Sequence, residues 1–193
     1  MTTPTCDAYT PQVVQLADST YRLIRAGHAG QTVLAETQRQ LPVALRDQID
    51  AATADTDRAN QRLATLTGYR YLTDAAATLP KWIVLALLRA LAAWQVGTAS
   101  TCMHNPHPDR PRPVMAAAWR PGTVACTACT LLLTCRPGST ADRTCDGCGH
   151  ITTGPEHHDG IRPVCVSAGP MTLMAGVCEH CRWWPADTSE GTP

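Results

Sequence analysis

Apolar residues recur at helical spacing near the start of the chain. Thr10 and Pro11 mark a helix start, since a threonine hydroxyl can cap the first turn and proline suits the first helical position. Apolar side chains that could share one helix face then follow at Val13, Val14, Ala17, Tyr21 and Ile24. This spacing predicts a first helix. A second short helix is predicted within TVLAETQRQ, residues 32–40.

A longer apolar seam follows Pro42. Its members are separated by alternating steps of four and three residues, and they are Leu45, Ile49, Ala52, Thr56, Ala59, Leu63 and Leu66. A repeat of about three heptads is typical of a coiled coil. The central alanines and threonine bury little area, so we favour a single helix packed on neighbours within the chain. A homo-oligomer formed through the helical half stays an open alternative.

The stretch WIVLALLRALAAWQV, residues 82–96, is apolar on almost every helix face. Pro80 before it and Gly97 after it mark helix ends, and the stretch is too short to span a bilayer. A helix of this composition must be buried on several sides. We therefore expect it at the centre of a helical bundle or in an oligomer interface. Its Arg89 is expected to face solvent or an ion-pair partner.

The distribution of cysteine differs on the two sides of residue 98. Nine of the ten cysteines lie between residues 102 and 181, and only Cys6 lies outside that region. This segregation predicts a domain boundary. We expect an α+β protein with an α-helical bundle at residues 1–98, a cysteine-rich domain at residues 99–183 and a disordered polar tail at residues 184–193.

Charge and cysteine content narrow the function classes. Sixteen basic and sixteen acidic side chains give a net charge of zero, and neither half is strongly basic, as a general nucleic-acid-binding protein would be. The opening MTTPTCDAYT lacks the basic and apolar regions of a signal peptide. We therefore expect a cytoplasmic protein without membrane association. Ten cysteines in a reducing compartment are not expected to form a disulfide framework.

The cysteines fall into pairs with metal-ligand spacing. Three pairs are C-x-x-C, a spacing that turns two sulfurs toward one tetrahedral ion, and a fourth pair is C-x-H. The predicted ligands are Cys102 with His104, Cys126 with Cys129, Cys145 with Cys148, and Cys178 with Cys181. Thiolates with one imidazole favour zinc. These eight residues therefore predict two Zn²⁺ sites.

Spacing alone leaves open which pairs share an ion. The second and third pairs could close across fifteen residues, or the four pairs could form a cross-brace. We favour sequential closure, because PVMAAAWRPGTVACTAC and PVCVSAGPMTLMAGVCEHC share one order: apolar stretch, turn with proline and glycine, strand and C-x-x-C pair. Each such unit is built like a zinc ribbon. We therefore expect two small zinc-ribbon-like β units after the helical bundle.

Three further residues have open assignments. His107 could replace His104 as a ligand, because C-x-H is a tighter spacing than usual. Cys165 alternates with its neighbours in PVCVSA and is expected to be a buried strand cysteine. Cys135 matches no pair and is expected to be a free thiol.

The run TCMHNPHPDRPRPVMAAAWRPGTVACTACTLLL, followed by TCDGCGH, resembles uncharacterised actinobacterial proteins with paired zinc-ribbon-like units. The resemblance covers about residues 100–182 and leaves the N-terminal half unmatched. It implies zinc binding through the matched cysteine and histidine positions. It implies no particular activity.

The predicted sites favour binding over catalysis. Each zinc would have four protein ligands, whereas a catalytic zinc needs an open position. The sequence also lacks H-E-x-x-H, a glycine-rich phosphate loop and G-x-S-x-G. We therefore expect a structural zinc-binding protein, not an enzyme, that serves as a regulatory or adaptor module for a macromolecule. A protein partner is favoured because thiolate zinc sites add negative charge.

Two alternative functions stay open. A DNA- or RNA-binding regulator would use the arginines of the first unit, with Trp119 between them: Arg110, Arg112, Arg120, Arg136 and Arg143. A thiol-based redox or zinc sensor would release its metal when the thiolates are oxidised.

Overall fold

A computed structural model describes the chain at residues 9–26, 36, 39–67, 70–72, 79–153 and 160–184. The helices with described bounds are α1 (Pro11–Arg25), α2 (Val43–Thr67) and α3 (Lys81–Gln95). The N-terminal cap of α1 is confirmed, because Thr10 Oγ1 accepts a hydrogen bond from Val13 N at 3.4 Å.

Two sequence predictions and one cysteine fall on the rest of the chain. Cys6, most of the predicted helix at residues 32–40, and residues 185–193 of the predicted tail lie outside the described residues.

In the described part of the chain, six strands form one mixed sheet. Its order is β1-β5-β6-β3-β4-β2. The strands are β1 (Arg70–Leu72), β2 (Ser100–Thr101), β3 (Val114–Ala117), β4 (Thr123–Cys126), β5 (Arg162–Ala168) and β6 (Met171–Val177). Their bounds reproduce the two repeated units of the sequence, each an apolar strand, a turn and a return strand.

Two antiparallel hairpins, β3–β4 and β5–β6, make up most of the sheet. Their turns contain Gly122 with φ 75° and Gly169 with φ 55°, a left-handed conformation that glycine adopts without strain from a Cβ atom. The hairpins join edge to edge through parallel pairing of β3 with β6, which places Val114 opposite Met171. Because β4 is antiparallel to β3, β4 and β6 end at opposite ends of the sheet.

Helix α3 covers one face of the sheet. Its Ile83 and Leu87 are buried in a cluster with Leu173 of β6. Another side of α3 meets α1, where Val13 packs in a buried cluster with Ala93. These two neighbours explain why α3 is apolar on almost every face.

Helix α2 covers the opposite face with polar as well as apolar side chains. Thr172 precedes Leu173 in β6 and so points away from α3. Asn60 donates to Thr172 Oγ1 at 2.8 Å, and Thr172 Oγ1 donates back to Asn60 Oδ1 at 3.1 Å. The Thr56 hydroxyl lies 3.1 Å from the Pro170 carbonyl oxygen in the β5–β6 turn. These buried contacts fix the register of α2 on the second hairpin.

The heptad-like seam predicted on α2 is partly wrong. Ala52 and Thr56 are buried as predicted, but Asn60 continues the buried face in place of Ala59. Leu66, the last member of the seam, is 82% exposed. A straight helix of 3.6 residues per turn lying on a sheet explains this drift away from a heptad repeat.

The predicted α+β class is confirmed. The helices contribute to clusters shared with the sheet, and β1 pairs with β5 so that Tyr71 lies opposite Cys165. A separate helical bundle, independent ribbon units and a domain boundary at residue 98 stay predictions.

The contact between α2 and the sheet yields a stability prediction. Asn60→Leu should lower the free energy of unfolding by about 1–3 kcal/mol, because the buried Thr172 hydroxyl loses both hydrogen bonds. Urea denaturation measures the effect, and Gln61→Leu on the exposed side of the same helix is the matched control. Equal stability of the two variants would contradict the docking of α2.

Candidate metal centres

The first candidate centre lies at the open end of the β3–β4 hairpin, away from its turn. Strand β2 pairs in parallel with β4 and places Thr101 opposite Val124, so the residues that follow the two strands are also neighbours. Cys102 follows β2 directly, and Cys126 is the last residue of β4. Cys129 lies in the 3₁₀ helix Thr127–Leu133.

The donor atoms of the first centre have the spacing of a tetrahedral site. Metal–sulfur distances of about 2.3 Å and metal–nitrogen distances of about 2.0 Å place two sulfurs about 3.8 Å apart, and a sulfur and a nitrogen about 3.5 Å apart. Cys102 Sγ lies 3.7 Å from Cys126 Sγ. His104 Nδ1 lies 3.5 Å from Cys126 Sγ and 3.2 Å from Cys129 Sγ.

The second candidate centre lies at the end of β6, at the opposite end of the sheet. Cys178 follows β6 directly, and Cys181 ends the short 3₁₀ helix Glu179–Cys181. The first cysteine pair of this centre is held beside β6 by Asp146, whose backbone N–H donates to Gly176 O at 2.9 Å. In return, Gly176 N–H donates to Asp146 Oδ2 at 2.6 Å.

The second centre has the same donor spacing with four sulfurs. Cys148 Sγ lies 3.7 Å from Cys178 Sγ. In each centre all four donor atoms lie within 4.8 Å of one another. The two groups could therefore hold two metal ions, and their donor sets are three cysteines with one histidine and four cysteines: Cys102, His104, Cys126 and Cys129 in the first, and Cys145, Cys148, Cys178 and Cys181 in the second.

A backbone N–H points at the first sulfur of each centre. Cys126 N donates to Cys102 Sγ at 3.5 Å, and Cys178 N donates to Cys145 Sγ at 3.3 Å. Burial raises the pKa of Cys102, but hydrogen bonds from Cys126 and His104 outweigh it and lower that pKa to about 6. Burial likewise raises the pKa of Cys145, but hydrogen bonds, of which the one from the Cys178 backbone is the first, outweigh it and lower that pKa. The protein thus favours the thiolate form of one sulfur in each centre.

Further negative charge in either centre needs a cation. Burial first, and then hydrogen bonding and charge repulsion from Cys126 and Cys102, raise the pKa of Cys129 to about 11. In the second centre, burial and then Cys148 and Cys145 raise the pKa of Cys181. A divalent metal reverses this cost, because its own charge outweighs the repulsion between thiolates.

Sequential grouping of the pairs is the arrangement that the structure forms. The grouping across fifteen residues and the cross-brace do not occur among the described residues, because Cys126 shares its cluster with Cys102 and with neither Cys145 nor Cys178. His104 joins the first centre. His107 instead accepts a hydrogen bond from Asp109 N at 3.2 Å and lies 3.4 Å from the Asp109 carboxylate.

The two unmatched cysteines lie outside both centres. Cys165 is buried in β5, as predicted, and burial raises its pKa to about 12. Cys135 is partly buried, and burial, followed by the charge of Asp142, raises its pKa. Both thiols therefore stay protonated at neutral pH, which makes them poor metal ligands and poor nucleophiles.

Gly147 and Trp82, whose packing the sequence did not predict, support the second centre. A Cβ atom on Gly147 would lie 3.0 Å from Trp82 Cε2 and 3.2 Å from Cys181 Sγ. Trp183 meets Trp82 edge-on, with ring centroids 6.3 Å apart. The glycine inside the C-D-G-C pair was the available signal for this close packing, but its partner on α3 lies far away in the sequence.

Comparison of the chain with protein-family models, with curated proteins and with solved structures found no match. None of the described helices combines the length and the apolar character needed to cross a membrane. Geometry and chemistry therefore carry the functional assignment.

Close packing around Gly147 yields a second stability prediction. Gly147→Ala should destabilise the protein by about 1–3 kcal/mol, because the added methyl group overlaps Trp82 and the Cys181 sulfur. Urea denaturation is again the measurement. Gly160→Ala is the matched control, since a Cβ atom there meets nothing within 4 Å. If both variants kept the stability of the parent protein, the packing of α3 on the second centre would be refuted.

Proposed function

We propose that the chain is a structural zinc-binding protein that holds two Zn²⁺ ions and presents a surface to a protein partner. The observation that carries the metal part is the spacing of the two donor sets, which matches tetrahedral coordination. Zinc fits because seven of the eight donors are thiolate sulfurs and one is an imidazole nitrogen.

A structural role for zinc follows from the number and position of the ligands. Each centre supplies four protein donors, so a catalytic water would have no position on the metal. Each centre also ties the end of a hairpin to a segment distant in the chain: Cys126 to Cys102, and Cys178 to Cys145. Metal binding then contributes directly to the free energy of folding.

Exposed apolar side chains beside the first centre support a protein partner. Met103 lies between two of the ligands and is 92% exposed, and Leu131 is 81% exposed. Leu132 is also exposed, and its carbonyl oxygen accepts a hydrogen bond from the Arg120 guanidinium. We call Met103, Leu131 and Leu132, together with Arg120, the apolar rim. An aliphatic and methionine surface with a peripheral arginine is suited to the apolar side chains of another protein.

The nucleic-acid alternative has less support. Residues 101–193 carry seven arginines and eight carboxylates, and the two zinc–thiolate sites would add charges of −1 and −2, for a total of about −4. Trp119 donates a hydrogen bond to Leu133 O at 2.6 Å and packs against a buried cluster. It is therefore not free to stack on a base between the exposed arginines.

The ligand assignment yields a prediction for the first zinc ion. His104→Ala should weaken its binding by more than the roughly 10- to 100-fold that the loss of an outer hydrogen-bond partner costs, because one of four donors is lost. His107→Ala, three residues away, should leave zinc affinity unchanged. Competition with a chromophoric chelator measures both. Equal affinity of the two variants, or a larger loss for His107→Ala, would contradict the assignment.

The apolar rim yields a prediction about partner binding. Leu131→Asp should reduce capture of partner proteins from a cell extract by at least about tenfold, as expected when a central apolar contact is lost. Leu66→Asp, at an equally exposed leucine on α2, should retain capture. Zinc content and circular dichroism confirm that both variants are folded.

Nucleic-acid binding is tested on the same proteins. Gel shifts with mixed DNA and RNA should show no salt-sensitive complex. A complex that disappears as salt rises, together with unchanged protein capture by Leu131→Asp, would favour the arginine surface instead.

A further inference from the structure

A cavity of about 470 Å³ lies between α3 and the sheet, at the end that carries the second metal centre. One wall is a stripe of α3 that includes Trp82, Leu85 and Arg89. The facing wall contains Pro121, from the β3–β4 turn. This volume is in the range of pockets that enclose small organic molecules, and neither the zinc sites nor the apolar rim uses it.

Arg89 lines this cavity, and the described residues offer it no ion-pair partner. It is only partly exposed, and its buried Nε has no hydrogen-bond partner among the described residues. None of the ion pairs between described residues includes it. The expectation that Arg89 faces solvent or is paired stays a prediction for this partly exposed side chain. A guanidinium that lines a cavity can donate charge-assisted hydrogen bonds to an anionic ligand there.

Other groups around the cavity limit the charge of such a ligand. Lys81 is exposed and lies with its ammonium 5.7 Å from the ring centre of Tyr21. Asp146 lines the cavity and presents a carboxylate that is hydrogen-bonded to Gly176 N. Two cations and one carboxylate leave a formal charge of about +1 to be balanced, which fits one negative charge better than the two of a phosphate monoester.

The remaining wall is apolar and aromatic. Trp82, Leu85 and Pro121 offer flat or aliphatic surface, and Leu173 of β6 forms part of the lining. Tyr9 also lines the cavity. Burial raises the pKa of its phenol, and the positive charge of Arg89 acts in the opposite direction. A ligand here would bury an apolar, planar body and direct one polar end toward the guanidinium.

We propose that this cavity binds a small organic acid with one carboxylate on an aromatic body, and that the carboxylate pairs with Arg89. The proposal does not depend on which metal fills the nearby centre. It would give the protein a ligand-binding function in addition to its structural metal sites.

Calorimetric titration of the full chain with indole-3-acetate tests the proposal. Indole-3-acetamide is the matched neutral probe, with the same ring and nearly the same shape. The acid should bind at least about tenfold more tightly than the amide, because only the acid forms a charge-assisted hydrogen bond with Arg89. No binding of the acid at millimolar concentration, or equal affinity for the two probes, would overturn the proposal.

Variants locate the site. Arg89→Met should abolish the preference for the acid, whereas Arg58→Met, at an exposed arginine of α2 that pairs with Asp55, should keep it. Ala86→Phe should abolish binding of both probes by filling the cavity, since Ala86 lies on the same wall. If Arg89→Met kept the preference, or Ala86→Phe still bound the acid as the parent protein does, the cavity would not be the site.

A second measurement covers the case in which Arg89→Met does not fold. In the parent protein, the acid should shift the indole N–H resonance of Trp82, identified by its loss in Trp82→Phe. Binding that leaves this resonance unmoved would place the ligand elsewhere and overturn the proposal.

Discussion

Repulsion between neighbouring thiolates is the constraint on which the two ends of the sheet depend. Each centre gathers four donor atoms within 4.8 Å of one another, and a backbone N–H donates a hydrogen bond to the first sulfur of each. The rest of the negative charge needs a divalent cation. Since Cys102 lies far from Cys126 in the chain, and Cys145 far from Cys178, a cation held there would also close the structure around each hairpin.

The parallel pairing of β3 with β6 gives the two centres different surroundings. It places the ends of β4 and β6, and with them the two centres, at opposite ends of one sheet. The first centre has Met103 and Leu131 exposed beside it. The second is packed by Trp82 and Gly147 and borders the cavity that contains Arg89. The proposed partner surface and the proposed ligand cavity thus lie at opposite ends of the sheet.

Local features of the sequence predicted the hairpins and the ligand pairs. A C-x-x-C pair and a turn with glycine and proline each depend on a few adjacent residues, and the repeated order of these features indicated sequential grouping. Spacing did not separate His104 from His107, because either ring could reach a sulfur pair. The contact of His107 with Asp109 separates them in the structure.

Long-range contacts could not be predicted in the same way. The heptad-like seam on α2 suggested Ala59 as a buried residue, but the sheet beneath it needed the amide of Asn60 to satisfy Thr172. The pairing of β3 with β6 and the packing of Trp82 on Gly147 join segments that carry no local signal for each other. The position of Arg89 at a cavity likewise depends on what surrounds it, which its helix alone does not reveal.

Native mass spectrometry of the purified full chain, with the metal identified by elemental analysis, tests the central claim most directly. The structure has two complete four-donor sets, so the account predicts two zinc ions per chain, both lost when the protein is unfolded in acid. A chain that is folded at neutral pH without any bound metal would contradict the account.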